Sequence, residues 1–240
     1  MTEGNAAAGL YNTYAADGDT PYWRVCCDDV FAADERTFLE RGMQDARRLW
    51  HMMELLGRRD LTVMDYGCGV GRIAKPLVEN WGQGAISQML MVDVAPKVLR
   101  IAQQRCGLEP PFRHHYYLAR PQDVPDTVEP QSVDFLYCDF VLQHLDWHLA
   151  ARLLQRFLYL LKPDGLLWLY QPPWKTQSFV NAAKEIGSLK EPRRMRHWTW
   201  DMLSRTLLHL GYAIVAAEPD SIQVLARPGP GVDWLEGPYR

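Results

Sequence analysis

The chain has 240 residues, of which 48% are hydrophobic and 23% charged, an ordinary globular composition whose length suits one large domain or a domain with an appendage. Its 26 basic and 29 acidic residues give a formal charge of −3, without the basic excess of a general nucleic-acid binder. Five scattered cysteines (Cys26, Cys27, Cys68, Cys106, Cys138) make no C-x-x-C pair, so neither a disulfide scaffold nor a metal site is expected.

Residues 1–20 are small and polar and lack the charged and apolar regions of a secretory leader. No apolar run reaches the roughly 18 residues of a membrane span. A soluble, cytoplasmic protein with no membrane partner is expected. From Thr37 to Leu56 apolar residues recur at helical spacing (Phe38, Met43, Ala46, Leu49, Trp50, Met53, Leu56), and Gly57 can end that helix. LTVMDY (61–66) reads as a buried strand that breaks on a glycine-rich turn, and IAKPLVEN as a helix with Pro76 near its first turn. QMLMVDV (88–94) is a second strand, ending near Asp93. A helix opened by proline spans 96–106, and 112–118 is a short strand. After a Pro- and Asp-rich loop come a strand at 132–140 and an amphipathic helix at 148–162. Pro163-Asp164-Gly165 makes a turn, and 166–171 is a strand. Residues 172–197 interrupt the pattern with prolines and basic residues. A helix at 199–211 is capped by Thr199 and stopped by Gly211, and YAIVAAE and SIQVLAR form a closing hairpin. Strands alternating with helices predict a mostly parallel sheet covered on both faces. In such sheets ligands sit beyond the carboxyl ends of the strands.

VMDYGCGVGR, Val63 to Arg72, is the sharpest local signal. Asp65 lies near the strand's end, and glycines at 67, 69 and 71 precede a helix. Glycine belongs where the chain takes positive φ or where backbone must approach a ligand closely. The G-x-G-x-G spacing differs from the G-x-G-x-x-G of dinucleotide folds, and no Lys-Ser/Thr follows as a phosphate loop requires. Asp93 ends the next strand, where a carboxylate can accept two hydrogen bonds from a ribose diol.

Together with SVDFLYCDFVLQHL and LKPDGLLWLY, the motif D-x-G-C-G-x-G-R resembles the class I S-adenosylmethionine-dependent methyltransferase superfamily over most of the chain, from about residue 37 to 225. The resemblance implies an α/β, Rossmann-like, seven-stranded, mostly parallel sheet with helices on both faces and an antiparallel C-terminal hairpin. It divides the chain into an N-terminal lid or substrate segment (1–36), a cofactor-binding domain (37–228) with a substrate-side insert (172–198), and a tail (229–240). It also implies S-adenosyl-L-methionine as cofactor. Gly67, Gly69 and Gly71 would then line the methionine end, Asp65 would order that loop or take the ammonium, and Arg72 would meet the carboxylate. Asp93 would bind the ribose hydroxyls, Val94 would lie against the adenine, and Gln122 and Asp123 would occupy the adenine loop.

Several stretches are similar, more specifically, to the protein alpha-N-terminal methyltransferases: TPYWRV with Tyr22-Trp23, GCGVGRIAKPLV, MVDV, PQDV and CDFVLQHLDWHLA. That likeness implies Asp139 near the methionine ammonium and His144 at the acceptor. Those enzymes place an Asn after the fifth strand and an Asp before the late helix, both near the peptide amine. Here these positions fall at about Gln171-Pro172 and Thr199, so most of that polar trio is replaced.

Methyl transfer needs a base when the acceptor must lose a proton. His144, with an ordinary pKa of about 6.5, is the first candidate and Asp139 the second; the same histidine also suits a capping or packing role. Tyr11, Tyr14, Trp23, Tyr170 and Trp174 are candidates for an acceptor wall around a cation or a planar ring, or else for core packing. Lys190, Arg193, Arg194 and Arg196 either hold an anionic group of the substrate or form a solvated loop. The expected function is transfer of a methyl group to N or O of a small metabolite, by a monomer or homodimer with no nucleic-acid partner. Methylation of a protein N-terminus, cyclisation or elimination of the cofactor's aminobutyryl arm, and a non-catalytic scaffold are the alternatives.

Overall fold

A computed structural model describes residues 21–22, 34–112, 116–118, 123–171 and 198–230. In chain order the elements are α1 (Glu35–Glu54), β1 (Leu61–Tyr66), α2 (Ala74–Trp81), β2 (Ile86–Asp93), α3 (Pro96–Cys106), β3 (Tyr116–Leu118) and β4 (Val133–Asp139), then a 3₁₀ turn (Leu142–His144), α4 (Trp147–Leu160), β5 (Leu161–Tyr170), α5 (Trp200–His209), β6 (Tyr212–Glu218), a second 3₁₀ turn (Pro219–Ser221) and β7 (Gln223–Pro228). The strands make one sheet in the order β3-β2-β1-β4-β5-β7-β6. β1 to β5 run parallel, and β7 is antiparallel to both β5 and β6. This is the expected Rossmann-like sheet with its C-terminal hairpin.

Strand alternation builds the two halves of the core. Along β4, Phe135 and Tyr137 face the apolar stripes of α1, α2 and α3, while Leu136 and Cys138 face α4 and α5. Because both faces are covered, the parallel strands read as nearly continuous apolar runs. On α1 the buried stripe is Phe38, Gly42, Ala46, Leu49 and Met53. Among the described residues no helix is long and apolar enough to cross a membrane.

Element boundaries follow the caps. α1 starts at Glu35, two residues before the expected Thr37, because the Asp34 carboxylate accepts the Thr37 N–H at 2.7 Å. The Thr199 hydroxyl caps α5 by accepting the Met202 N–H at 3.2 Å. β5 begins earlier than the 166–171 read from the sequence. Leu161 already pairs with Val133, and the register shifts before Phe135 pairs with Leu166. The Pro163-Asp164-Gly165 turn is thus an irregularity inside the strand. Most of the N-terminal segment, the insert up to residue 197 and the tail beyond 230 lie outside the described residues.

The LKPDG stretch also ties together the edge of the sheet remote from the strands' carboxyl ends. Asp134, 1% exposed, accepts the Thr62 N–H at 2.9 Å and Lys162 Nζ at 2.9 Å, and pairs with Arg58 Nη2 at 2.6 Å. Asp164 takes the same guanidinium from outside. Removing a buried, fully bonded carboxylate strands both cations and a backbone donor. Asp134→Ala should lower unfolding free energy by about 3 kcal/mol in denaturant titration, while cofactor affinity at the opposite edge stays within twofold.

Candidate active site

Parallel strands end on the same edge, and the connection reverses direction between β1 and β4, which opens a crevice at their carboxyl ends. The glycine turn leaves β1 at that crevice. The Gly67 and Cys68 N–H groups both donate to the Val92 carbonyl, at 2.8 and 3.0 Å, which hangs the loop on the end of β2. Gly67 has φ +81°, and a Cβ there would stand 2.2 Å from Val141 Cγ2, so both its conformation and its surroundings require glycine. Asp93 braces the other side: its Oδ2 accepts the Gly69 N–H at 3.0 Å and its Oδ1 accepts the Ala95 N–H at 2.9 Å. Each oxygen keeps a further lone pair for a ligand. Burial raises the Asp93 pKa, and the backbone N–H groups oppose that rise.

Two more carboxyls lie at the ends of the adjacent strands β1 and β4. Asp65 is 4% exposed. Burial pushes it up to about 8, with Asp139 and Asp93 adding to the effect and Tyr137 and Arg72 opposing it. Burial pushes Asp139 up to about 7, with the Asp45 carboxylate adding and Arg72 and Arg48 opposing. Asp139 Oδ1 is buried and has no hydrogen-bond partner. Arg72 offsets the pair only in part, and a small ammonium group is a species that would satisfy the Asp139 oxygen left without a partner.

Helix α1 closes the crevice from above. Gly42 packs onto the end of the glycine loop: a Cβ there would lie 2.4 Å from the Arg72 carbonyl oxygen. Three residues on, Asp45 Oδ2 pairs with Arg72 Nη1 at 2.5 Å. Beside this pair a cleft of about 360 Å³ is walled by Thr37, Arg41, Gln44, Asp45, Arg48 and Arg72, with Phe140 and Tyr170 also lining it. Their rings lie 4.5 Å apart at 59°. Phe140 has φ +56°, a left-handed conformation rare for a bulky residue, and its N–H donates to the Tyr170 carbonyl at 2.9 Å.

His144 ends the 3₁₀ turn after β4 and is half-buried, with its Nε2 at 3.3 Å from Gln143 Nε2. The Gln143 N–H donates to Gln171 Oε1 at 3.2 Å. Val94, half-buried, follows Asp93. The Asp123 carboxylate accepts the Val124 N–H at 3.0 Å and faces Arg156 Nε at 3.5 Å, and its carbonyl accepts the Tyr66 hydroxyl at 2.6 Å. Tyr22 packs edge-on against Phe38, the first residue of the buried stripe of α1, under the Arg105 guanidinium. Tyr11, Tyr14, Trp23, Gln122, Trp174 and the 190–196 basic run lie outside the described residues. No group of three or more His, Cys, Asp or Glu among the described residues could hold a metal ion.

Residues 63–165, from β1 to the turn inside β5, match the family model described as a methyltransferase domain. Over that stretch the chain is similar to methyltransferase domains. The chain is similar to the methyltransferase tpcM of Aspergillus fumigatus, at 29% identity over 75% of this chain and 49% of that one. It is also similar to the human N-terminal Xaa-Pro-Lys N-methyltransferase 1, at 33% identity over 43% and 44% of the two chains. The chain spans 17–49% of the length of the curated relatives it matches. Its fold matches that of the Synechocystis PCC 6803 magnesium protoporphyrin IX methyltransferase solved with bound SAH, at a TM-score of 0.68 and 20% identity, covering 94% and 99% of the chains.

Arg41 and Arg48, on the helix before the matched stretch, carry no motif in the sequence. Their signal was the spacing 37, 41, 44, 48 on one side of α1, which looks like any solvated helix face until the helix is seen above the glycine loop.

Asp93→Ala removes the brace on Gly69 and the bond to Ala95 at the start of α3, and should weaken cofactor binding about 100-fold or more by calorimetry. Since Asp65 and Asp139 stand above the ordinary 3.8 in the fold, the cofactor-free protein binds more protons folded than unfolded. It should therefore lose stability as pH rises from about 4 through 8. A bound ammonium reverses this, so cofactor binding at pH 7 should release on the order of one proton. Titrations in buffers of different ionisation enthalpy measure that number, and Asp139→Asn should reduce it.

Proposed function

We propose that this protein transfers the methyl group of S-adenosylmethionine to a nitrogen or oxygen of a small metabolite. The observation that carries this reading is the meeting of two features at one edge of the sheet: the Asp139 Oδ1 left without a hydrogen-bond partner at the end of β4, and the cleft of about 360 Å³ lined by the next residue, Phe140, and by Tyr170. That volume is in the range of small-molecule sites.

The residues present fit the cofactor. Asp65 and Asp139 would share its ammonium, Arg72 its carboxylate, and Asp93 its ribose hydroxyls, with the glycine turn admitting it close to the backbone. Bound S-adenosylmethionine supplies a methyl group on a sulfonium, so good a leaving group that alignment and exclusion of water provide much of the acceleration. The chain's own residues do the remainder. α1 and its Asp45–Arg72 pair cover the crevice, and Phe140 and Tyr170 offer the acceptor an aromatic surface. His144, on the turn that leaves β4, takes the proton that an acceptor hydroxyl or ammonium must lose.

Two contacts weigh against a peptide amine as acceptor. The Thr199 hydroxyl is engaged in capping α5, and Gln171, 1% exposed, accepts the Gln143 N–H. Neither position carries the amine-binding Asn or Asp that the resemblance to the N-terminal methyltransferases would call for.

With a saturating acceptor, His144→Ala should lower turnover roughly 10²–10⁴-fold; a fall below threefold assigns the histidine to structure. Incubation with cofactor alone should leave it intact, and accumulation of methylthioadenosine without acceptor would replace methyl transfer by cyclisation or elimination.

A further inference from the structure

Helix α1 carries two stripes of opposite character. The buried one is apolar; the other, Thr37, Arg41, Gln44 and Arg48, repeats at steps of four, three and four and lines the cleft. Seven residues are close to two turns, so Arg41 and Arg48 stand on one line, about 10 Å of helix rise apart. Both side chains line the same cleft.

Charge on the cleft wall is uneven. Three arginines meet two carboxylates, Glu40 and Asp45. Asp45 is held by Arg72 at 2.5 Å and lies 3.7 Å from Arg48, a looser contact, and Glu40 is held by Arg36 at 2.7 Å. Asp45 thus divides itself between two of the wall's own arginines while Glu40 turns to Arg36, and with three arginines to two acids the wall carries a net positive charge. The Tyr170 phenol is raised by burial and by Asp45, against Arg48, with Asp139 raising it again and Arg41 opposing. Tyr170 therefore lies within electrostatic reach of both arginines and of the carboxyl beside the cofactor site. Next to it the Phe140 ring is displayed from a left-handed backbone that the bond to Tyr170 maintains, a conformation kept where surrounding structure and use demand it.

Resting on the methyl-transfer reading above, we propose that the acceptor is a monocyclic aromatic acid, its carboxylate held by Arg41 and Arg48 and its ring against Phe140 and Tyr170. The planar guanidinium fork matches the two oxygens of a carboxylate, and two rings 4.5 Å apart make an aromatic wall of the kind a third ring packs against edge-on or offset. The acid's remaining nitrogen or oxygen then points along the cleft toward Asp139.

The test is calorimetry on the protein loaded with S-adenosylhomocysteine, using 4-hydroxybenzoate and anthranilate as probes and their neutral amides as controls. The acids should bind at least tenfold more tightly than the amides. Arg41→Ala and Arg48→Ala should each weaken the acids at least tenfold, with S-adenosylhomocysteine affinity held within twofold as proof of folding. Equal binding of the amides, no binding of either acid, or acid affinity unmoved by both substitutions overturns the proposal. So does a loss of S-adenosylhomocysteine affinity that matches the loss for the acids, since it assigns the arginines to the cofactor. Failure of the unsubstituted protein to bind S-adenosylhomocysteine strikes the methyl-transfer reading itself, and this assignment with it.

Discussion

Two buried carboxyl groups near the carboxyl ends of the adjacent strands β1 and β4 set the terms for everything around them. Asp65 and Asp139 are drawn out of water, and burial raises both. Burial disfavours the charged form of each, and Arg72 opposes that only in part. A fold keeps such a pair only where something else completes it, since an apolar pair of the same shape would cost nothing. The glycine turn, the Asp93 brace and the Arg72 side chain are all arranged around that incomplete charge.

The second constraint is how closely α1 approaches. Gly42 lets the helix rest on the Arg72 carbonyl, and that contact brings Asp45 within 2.5 Å of the Arg72 guanidinium. The pair orients the arginine and roofs the crevice at once. It also brings the polar stripe of α1 over the ends of β4 and β5. A helix before the first strand thereby joins the site, although it lies outside residues 63–165, which match the methyltransferase domain.

Stability and chemistry occupy opposite edges of the same sheet. At the amino ends of β1 and β4, Asp134 collects a backbone N–H and two cations and is fully satisfied. At the carboxyl ends, Asp139 Oδ1 has no partner. The two residues belong to one strand and share one element of charge, yet one is saturated and the other is not. Parallel strands make that division easy, since each has one end tied to neighbouring turns and one end open to the crevice.

Much of this was legible in the chain itself. The strands at 61–66 and 212–218 and the helix at 96–106 emerge at their observed bounds, because apolar runs, a glycine turn and an opening proline are local signals. The glycines, Asp93 and the cap at Thr199 are likewise dictated by near neighbours. The start of β5 was not legible, because it depends on pairing with Val133 across a shifted register. Nor was the cleft. Arg41, Asp45 and Arg48 carry the pattern of a solvated helix face, and only the packing of Gly42 on the loop after β1 turns that face toward Arg72, Phe140 and Tyr170. Sequence determines what each segment can be on its own, whereas the meeting of α1 with the ends of β4 and β5 joins residues some hundred positions apart, and local pattern contains no term for that distance.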